Sequence, residues 1–140
     1  MVSAIIAIAV LVLVVALVIA VARDPGPPPD DVAVAYERAW DRLDFDALWT
    51  LSGDELRDGM PRRDFVAAKH AAYRRQSELG QLAAGVVIEH LEVGRHVAVA
   101  RTRVDVRGGG VATNEIQLVH RGGRWVVVTY RLLGSEPSHS

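Results

Sequence analysis

The sequence predicts an α+β protein: an N-terminal transmembrane helix, then about three helices packed on a curved, four-stranded antiparallel sheet. Three observations lead there. Ala4–Ala22 is a run of nineteen residues with no charge, proline or glycine. After a proline-rich break, apolar and aromatic residues recur at three- and four-residue spacing as far as Gly80. Beyond Gly80, β-branched residues alternate with polar ones between short glycine turns.

At ~1.5 Å per residue the apolar run makes roughly 28 Å of helix, close to the ~30 Å hydrocarbon thickness of a bilayer. It is apolar all round, so its natural solvent is lipid, with no face reserved for a protein partner. A cleaved signal peptide is the rival reading, because Ala20-Val21-Ala22 before Arg23 has the small-x-small form of a cleavage site. Met1-Val2-Ser3 offers no Lys or Arg, however, and the run exceeds the usual length of about 7–15 residues. Residues 1–23 are therefore expected to be a retained anchor in the cell membrane. Arg23 weakly favours keeping its flank inside. The layout of a three-residue tail, one span and a folded domain favours a domain outside the cytoplasm.

The chain has 140 residues, a formal net charge of −1 and no cysteine. Without a basic excess it does not read as a nucleic-acid binder. Without cysteine it has no disulfide, thiolate nucleophile or cysteine-based zinc site. The five histidines, at 70, 90, 96, 120 and 139, form no i, i+4 pair and have no acid at ligand spacing, so no metal site and no cofactor are predicted.

Residues 24–31, DPGPPPDD, form a stiff spacer of ~3 Å per residue, with Asp30 or Asp31 as the expected N-cap of the next helix. In that helix Val32, Ala35, Tyr36, Ala39, Trp40 and Leu43 make the apolar face, while Glu37, Arg38, Asp41 and Arg42 fall on the other side. Asp44 is placed to cap a short helix through Trp49 and Leu51, and Asp54–Asp58 adds a turn. Pro61 opens a third helix with Phe65, Ala68, Ala72 and Tyr73 on one face, bordered by Lys69 or Gln76, ending near Gly80. Four strands follow, at 82–92, 96–107, 111–121 and 124–133; their short turns allow only antiparallel neighbours. In the second strand Ala98, Ala100, Thr102, Val104 and Val106 form one face. The domain spans 32–133, and residues 134–140 read as a polar, frayed tail.

Three stretches carry a family resemblance: AYERAWDRLDFDALWTL, DELRDGMPRRDF and the closing GGRWVVVTYRLL. Together with the order of elements they resemble the NTF2-like superfamily, and in particular its membrane-anchored accessory and uncharacterised bacterial members. The resemblance implies a cone whose sheet wraps the helices around an apolar cavity. It also implies that activity varies, since the superfamily holds isomerase-, cyclase- and dehydratase-like enzymes beside non-catalytic binding domains.

An enzyme of those kinds needs a carboxylate inside the cavity, with a phenol or second acid to stabilise an oxyanion. Asp105 lies in phase with Arg101, Arg103 and Arg107, and Glu115 with Thr113 and Gln117, so both acids are expected outside. With no acid on the predicted concave face, no catalytic residue is assigned. The cavity candidates are Tyr36, Trp40, Trp49, His120 and Tyr130. Tyr130 shares a phase with Val126 and Val128, while Trp125 and Val127 compete for the same inner face. The leading expectation is a single-pass, non-catalytic binding or accessory module for a protein partner or small apolar ligand. The alternatives are a small enzyme of isomerase, cyclase or dehydratase type, or an envelope component that self-associates through its sheet.

Overall fold

The computed structural model describes residues 1–22, 26–74 and 82–137. Helix α1 spans Val2–Ala22. Its Val2–Ala20 stretch has a mean hydropathy of 3.4 and none of it is buried, so by length and composition it suits a membrane span or a signal sequence. The remaining elements are α2 (Pro29–Asp41), α3 (Phe45–Leu51), a 3₁₀ turn (Asp54–Leu56), α4 (Arg62–Tyr73) and strands β1 (Ala83–Val93), β2 (Val97–Val106), β3 (Val111–Arg121) and β4 (Arg124–Glu136). The strands form one antiparallel sheet in sequence order.

Helix α2 starts earlier than the spacer reading expected. Pro28 is its N-cap and Pro29 its first residue, which proline tolerates because the first-turn N–H groups have no helical partner. Asp30 and Asp31 therefore sit in the first turn, where they favour the helix through its dipole and do not cap it. At the other end Leu43 adopts φ +53°, and the amides of Leu43 and Asp44 return to the Trp40 and Ala39 carbonyls. This closes α2 with a Schellman turn and lets Asp44 cap α3 through Ala47 N at 3.1 Å.

The buried stripe of α2 is Val32, Ala33, Tyr36, Glu37 and Ala39; Ala35, expected inside, is exposed. On α4 Phe65 is buried and Lys69 and Tyr73 are half-buried, whereas Ala68 and Ala72 are exposed, because the helix packs chiefly on α3, with Tyr73 against Trp40 and Phe45, and buries a narrower stripe than expected. Gln76 and the expected helix end near Gly80 lie outside the described residues. One cluster of buried residues joins Ala33 and Tyr36 of α2 and Leu48 of α3 to Ala100, Ile116 and Val127 of the sheet.

Register shifts interrupt both outer strand pairs, and bulges of this kind bend a strand. The register shifts twice on β1, between Ala83 and Gly85 and between Ile88 and His90. It shifts twice between β3 and β4 as well. Leu118 pairs with Val127 while Gln117 pairs with Thr129, which leaves Val128 as the extra residue. Both competing phases of β4 are thereby satisfied in turn. Val127 faces the core before the bulge; afterwards Tyr130 and Leu132 take the inner side, opposite Ile116 and Asn114, with Leu132 exposed at its edge. β4 also runs beyond its expected end, because Gly134, Ser135 and Glu136 pair with Thr113, Ala112 and Val111. The frayed tail expected from Gly134 thus begins no earlier than residue 137.

Candidate functional site

The concave face holds an acid after all, and it comes from a helix. Glu37 is 5% exposed and projects from α2 toward three strands. Its Oε1 accepts hydrogen bonds from Thr102 Oγ1 of β2 at 2.7 Å and Asn114 Nδ2 of β3 at 2.9 Å. Its Oε2 accepts from the Tyr130 hydroxyl of β4 at 2.8 Å. Asn114 Nδ2 also donates to the Tyr130 oxygen at 3.1 Å, closing a ring of three groups. Among the described residues no Arg, Lys or His forms an ion pair with Glu37. Neutral donors alone offset the cost of burying this carboxylate.

The placement follows from local sequence. Glu37 stands four residues after Ala33, which is fully buried, and three before Trp40, so all three share a face. Thr102 and Asn114 are direct cross-strand partners on the inner side of the sheet, and the bulge at Val128 turns Tyr130 toward the same point. Burial, then the negative charge of Glu37 and the bond to it, push the Tyr130 phenol well above its ordinary range. Burial likewise raises Tyr36, whose ring lies 5.1 Å from that of Tyr130.

Beside this cluster opens a cleft of about 420 Å³ between α2 and the β2–β3 end of the sheet. Trp40, Leu82, Val104, Val106 and Leu132 supply apolar walls, and Glu37, Asn114 and Tyr130 a polar floor. Asp41 also borders it, with Oδ1 taken by the Ala83 amide at 2.8 Å. A smaller cavity of about 210 Å³, on the other side of Trp40 and Tyr130, reaches Tyr36, Leu48 and Phe65. The Trp40 indole N–H lies near enough to the Tyr36 phenol to lower its proton affinity, but the geometry falls short of a hydrogen bond and the N–H is buried without a partner among the described residues. Three broader depressions, of about 510, 760 and 520 Å³, lie among Arg57, Arg121 and Arg124, among Arg38, Arg42 and Arg62, and among Glu89, Arg103 and Glu136; among the described residues none of them holds a buried ionisable side chain.

Of the five cavity candidates, the structure brings Trp40 and Tyr130 to the cleft and Tyr36 to the inner cavity. Trp49 sits elsewhere. The Arg57 guanidinium covers its ring at 3.7 Å and its indole N–H donates to the Met60 carbonyl at 3.2 Å. His120 is on the inner face but at the far turn, edge-on to Trp125 with ring centroids 5.2 Å apart. Asp105 and Glu115 are on the outer face, paired with Arg103 at 3.5 Å and Arg131 at 2.9 Å. Sequence reasoning missed Glu37, Thr102 and Asn114. The available signal was polar side chains in the inner phase of two adjacent strands, which require a buried partner.

No family profile and no curated protein matches the chain. Solved structures do. A protein of Campylobacter jejuni with the provisional name NTF2-like transpeptidase superposes with a TM-score of 0.52 at 16% identity, over 72% of this chain and 97% of that one. An NTF2-like protein of unknown function from Shewanella baltica gives 0.53 at 16% identity, over 77% and 90%. The chain has an NTF2-like fold. At this identity the NTF2-like neighbours speak for the architecture, and chemistry must be argued from the cleft.

Proposed function

We propose that the chain is a membrane-tethered NTF2-like domain that binds a small, largely apolar molecule without transforming it. The observation that carries this reading is the cleft itself: apolar walls converging on a few fixed polar groups, in the size range of small-molecule sites. Helix α1 supports the tether by its length and hydropathy. The position of the cleft supports access from water. Gly26, where the described chain enters the domain, lies against Gly123 and Arg124 of the β3–β4 turn. The cleft opens toward the opposite β2–β3 turn, ~30 Å along the strands.

A proton-transfer enzyme is the second reading, favoured by the buried carboxylate of Glu37 beside the Tyr130 phenol. Binding ranks above it because three donors already occupy that carboxylate. The Tyr130 proton is aimed at Glu37 and is not offered to an oxyanion. Native mass spectrometry of the full chain extracted from its own membranes tests the proposal. The intact chain, with residues 1–22 present, is expected in the membrane fraction carrying a small-molecule adduct. Leu132→Trp, at a cleft residue that is 59% exposed, is expected to lose the adduct and remain folded. A shortened, soluble species would refute the tether. Wild-type protein free of any adduct, or catalytic turnover of an enolisable ketosteroid that Glu37→Gln abolishes, would refute the binding role.

A further inference from the structure

The chemistry of the cleft narrows its ligand to one class. We infer that it takes a compact apolar molecule bearing a protonated amine, held by the carboxylate of Glu37; this inference rests on the cleft being a binding site. A carboxylate offers about four lone-pair positions. Oε1 uses two, on Thr102 and Asn114, and Oε2 uses one, on Tyr130. One position on Oε2 is left over, on a side chain that borders the cleft.

Charge points the same way. Among the described residues, the ionisable ones bordering the cleft are Glu37, Asp41 and Tyr130, with no Arg, Lys or His. A carboxylate removed from water and compensated only by neutral donors gains more from an incoming cation than from another neutral group, and an incoming anion is repelled. Both Asn114 protons and the Tyr130 proton are already committed to Glu37 and its ring, so the floor has no donor to offer a ligand carboxylate. The walls of Leu82, Val104, Val106 and Leu132 reject a polyamine and suit one ammonium on a hydrocarbon body. A cation placed there completes the ion pair that none of the described residues forms with Glu37.

Three probes that share one body and differ in one group separate this inference from the reading beneath it: cyclohexylmethylamine, cyclohexylmethanol and cyclohexanecarboxylate. Each is titrated into the full chain, labelled with ¹⁵N at tryptophan and held in zwitterionic nanodiscs. The Trp40 indole N–H reports the cleft, and Trp49→Phe and Trp125→Phe assign the three indole signals. The amine is expected to shift Trp40 saturably, at least tenfold more tightly than the alcohol, with the carboxylate weakest. Glu37→Gln is expected to equalise amine and alcohol, and Leu132→Trp to abolish all three titrations. Equal binding of amine and alcohol to the wild type, or a preference for the carboxylate, overturns the amine assignment and leaves the cleft as a binding site. Failure of every probe to shift Trp40 overturns both. The wild-type ranking decides even where Glu37→Gln does not fold.

Discussion

The inner face of the sheet has two halves of opposite chemistry. Toward the β3–β4 turn, Ala98, Leu118 and Val127 join Phe45 and Leu48 in an apolar cluster. Toward the β2–β3 turn, the same face presents Thr102, Asn114 and Tyr130 to a buried glutamate, and a cleft remains open. The two halves stabilise the protein differently. Each fully buried aliphatic side chain in the first half contributes about 1.5–3 kcal/mol. Each hydrogen bond in the second replaces one to water and nets only about 1 kcal/mol, yet leaving a partner unsatisfied costs more than the bond contributed. The apolar half holds the domain together. The polar half fixes the position of α2 over three strands and keeps a charged group at the edge of a cavity.

The largest break in this contrast is expected from the apolar half. Leu118→Ala removes a fully buried side chain and is expected to lower unfolding stability by about 2–5 kcal/mol in urea titrations of the full chain, while leaving the ranking of the three probes unchanged. An intermediate effect belongs to the polar half. Asn114→Leu leaves Glu37 and Tyr130 without their shared donor and is expected to cost about 1.5–3 kcal/mol. Replacing the whole group, with Glu37→Leu, Thr102→Val, Asn114→Leu and Tyr130→Phe together, is expected to restore stability to at least the wild-type level while losing amine selectivity. A quadruple variant less stable than the wild type would mean that the network contributes net stability, and the contrast between the halves would collapse.

The smallest effect is confined to alkaline solution. Tyr36 and Tyr130 have folded-state pKa values raised above 10.0, so the folded protein holds their protons more tightly than the unfolded chain. Their contribution is complete below pH 10 and is lost as pH rises through and beyond it, by at most about 1.4 kcal/mol per pH unit for each group. Phenolate absorbance from these two residues is expected to rise together with the loss of near-ultraviolet dichroism. If they ionise while the tertiary signal persists, their environment is wetter than the geometry describes. Tyr130→Phe is expected to leave only the Tyr36 share of this alkaline slope.

Much of the architecture was legible because it rests on short-range pattern. The glycine turns at 108–110 and 122–123 imposed antiparallel neighbours, and the alternation through Ala98, Ala100 and Thr102 marked the inner face of β2 correctly. Asp44 was recognisable as a cap because a cap acts three residues away. Glu37 was misplaced for a different reason. The spacing predicts a helical stripe through Ala35 and Leu43, and a charged residue beside it is expected in water by its type alone. Its burial depends on donors 65, 77 and 93 positions away in sequence. The Tyr130 side of the site was unreadable for a related reason: a bulge switches the phase of β4 partway along, so no single alternation describes the strand.

What the sequence determined by itself was therefore the order of elements, the apolar helix α1 and the fold class, since periodicity, turn residues and caps act within a few positions. What only the tertiary structure decided was the site. Whether a glutamate is exposed or buried is set by the donors that meet it. Those donors converge on Glu37 because Thr102 and Asn114 pair directly across β2 and β3, and the bulge at Val128 brings Tyr130 into phase with them. Convergence of that kind arises from how the strands pair and bend, and it leaves no periodic trace in the chain.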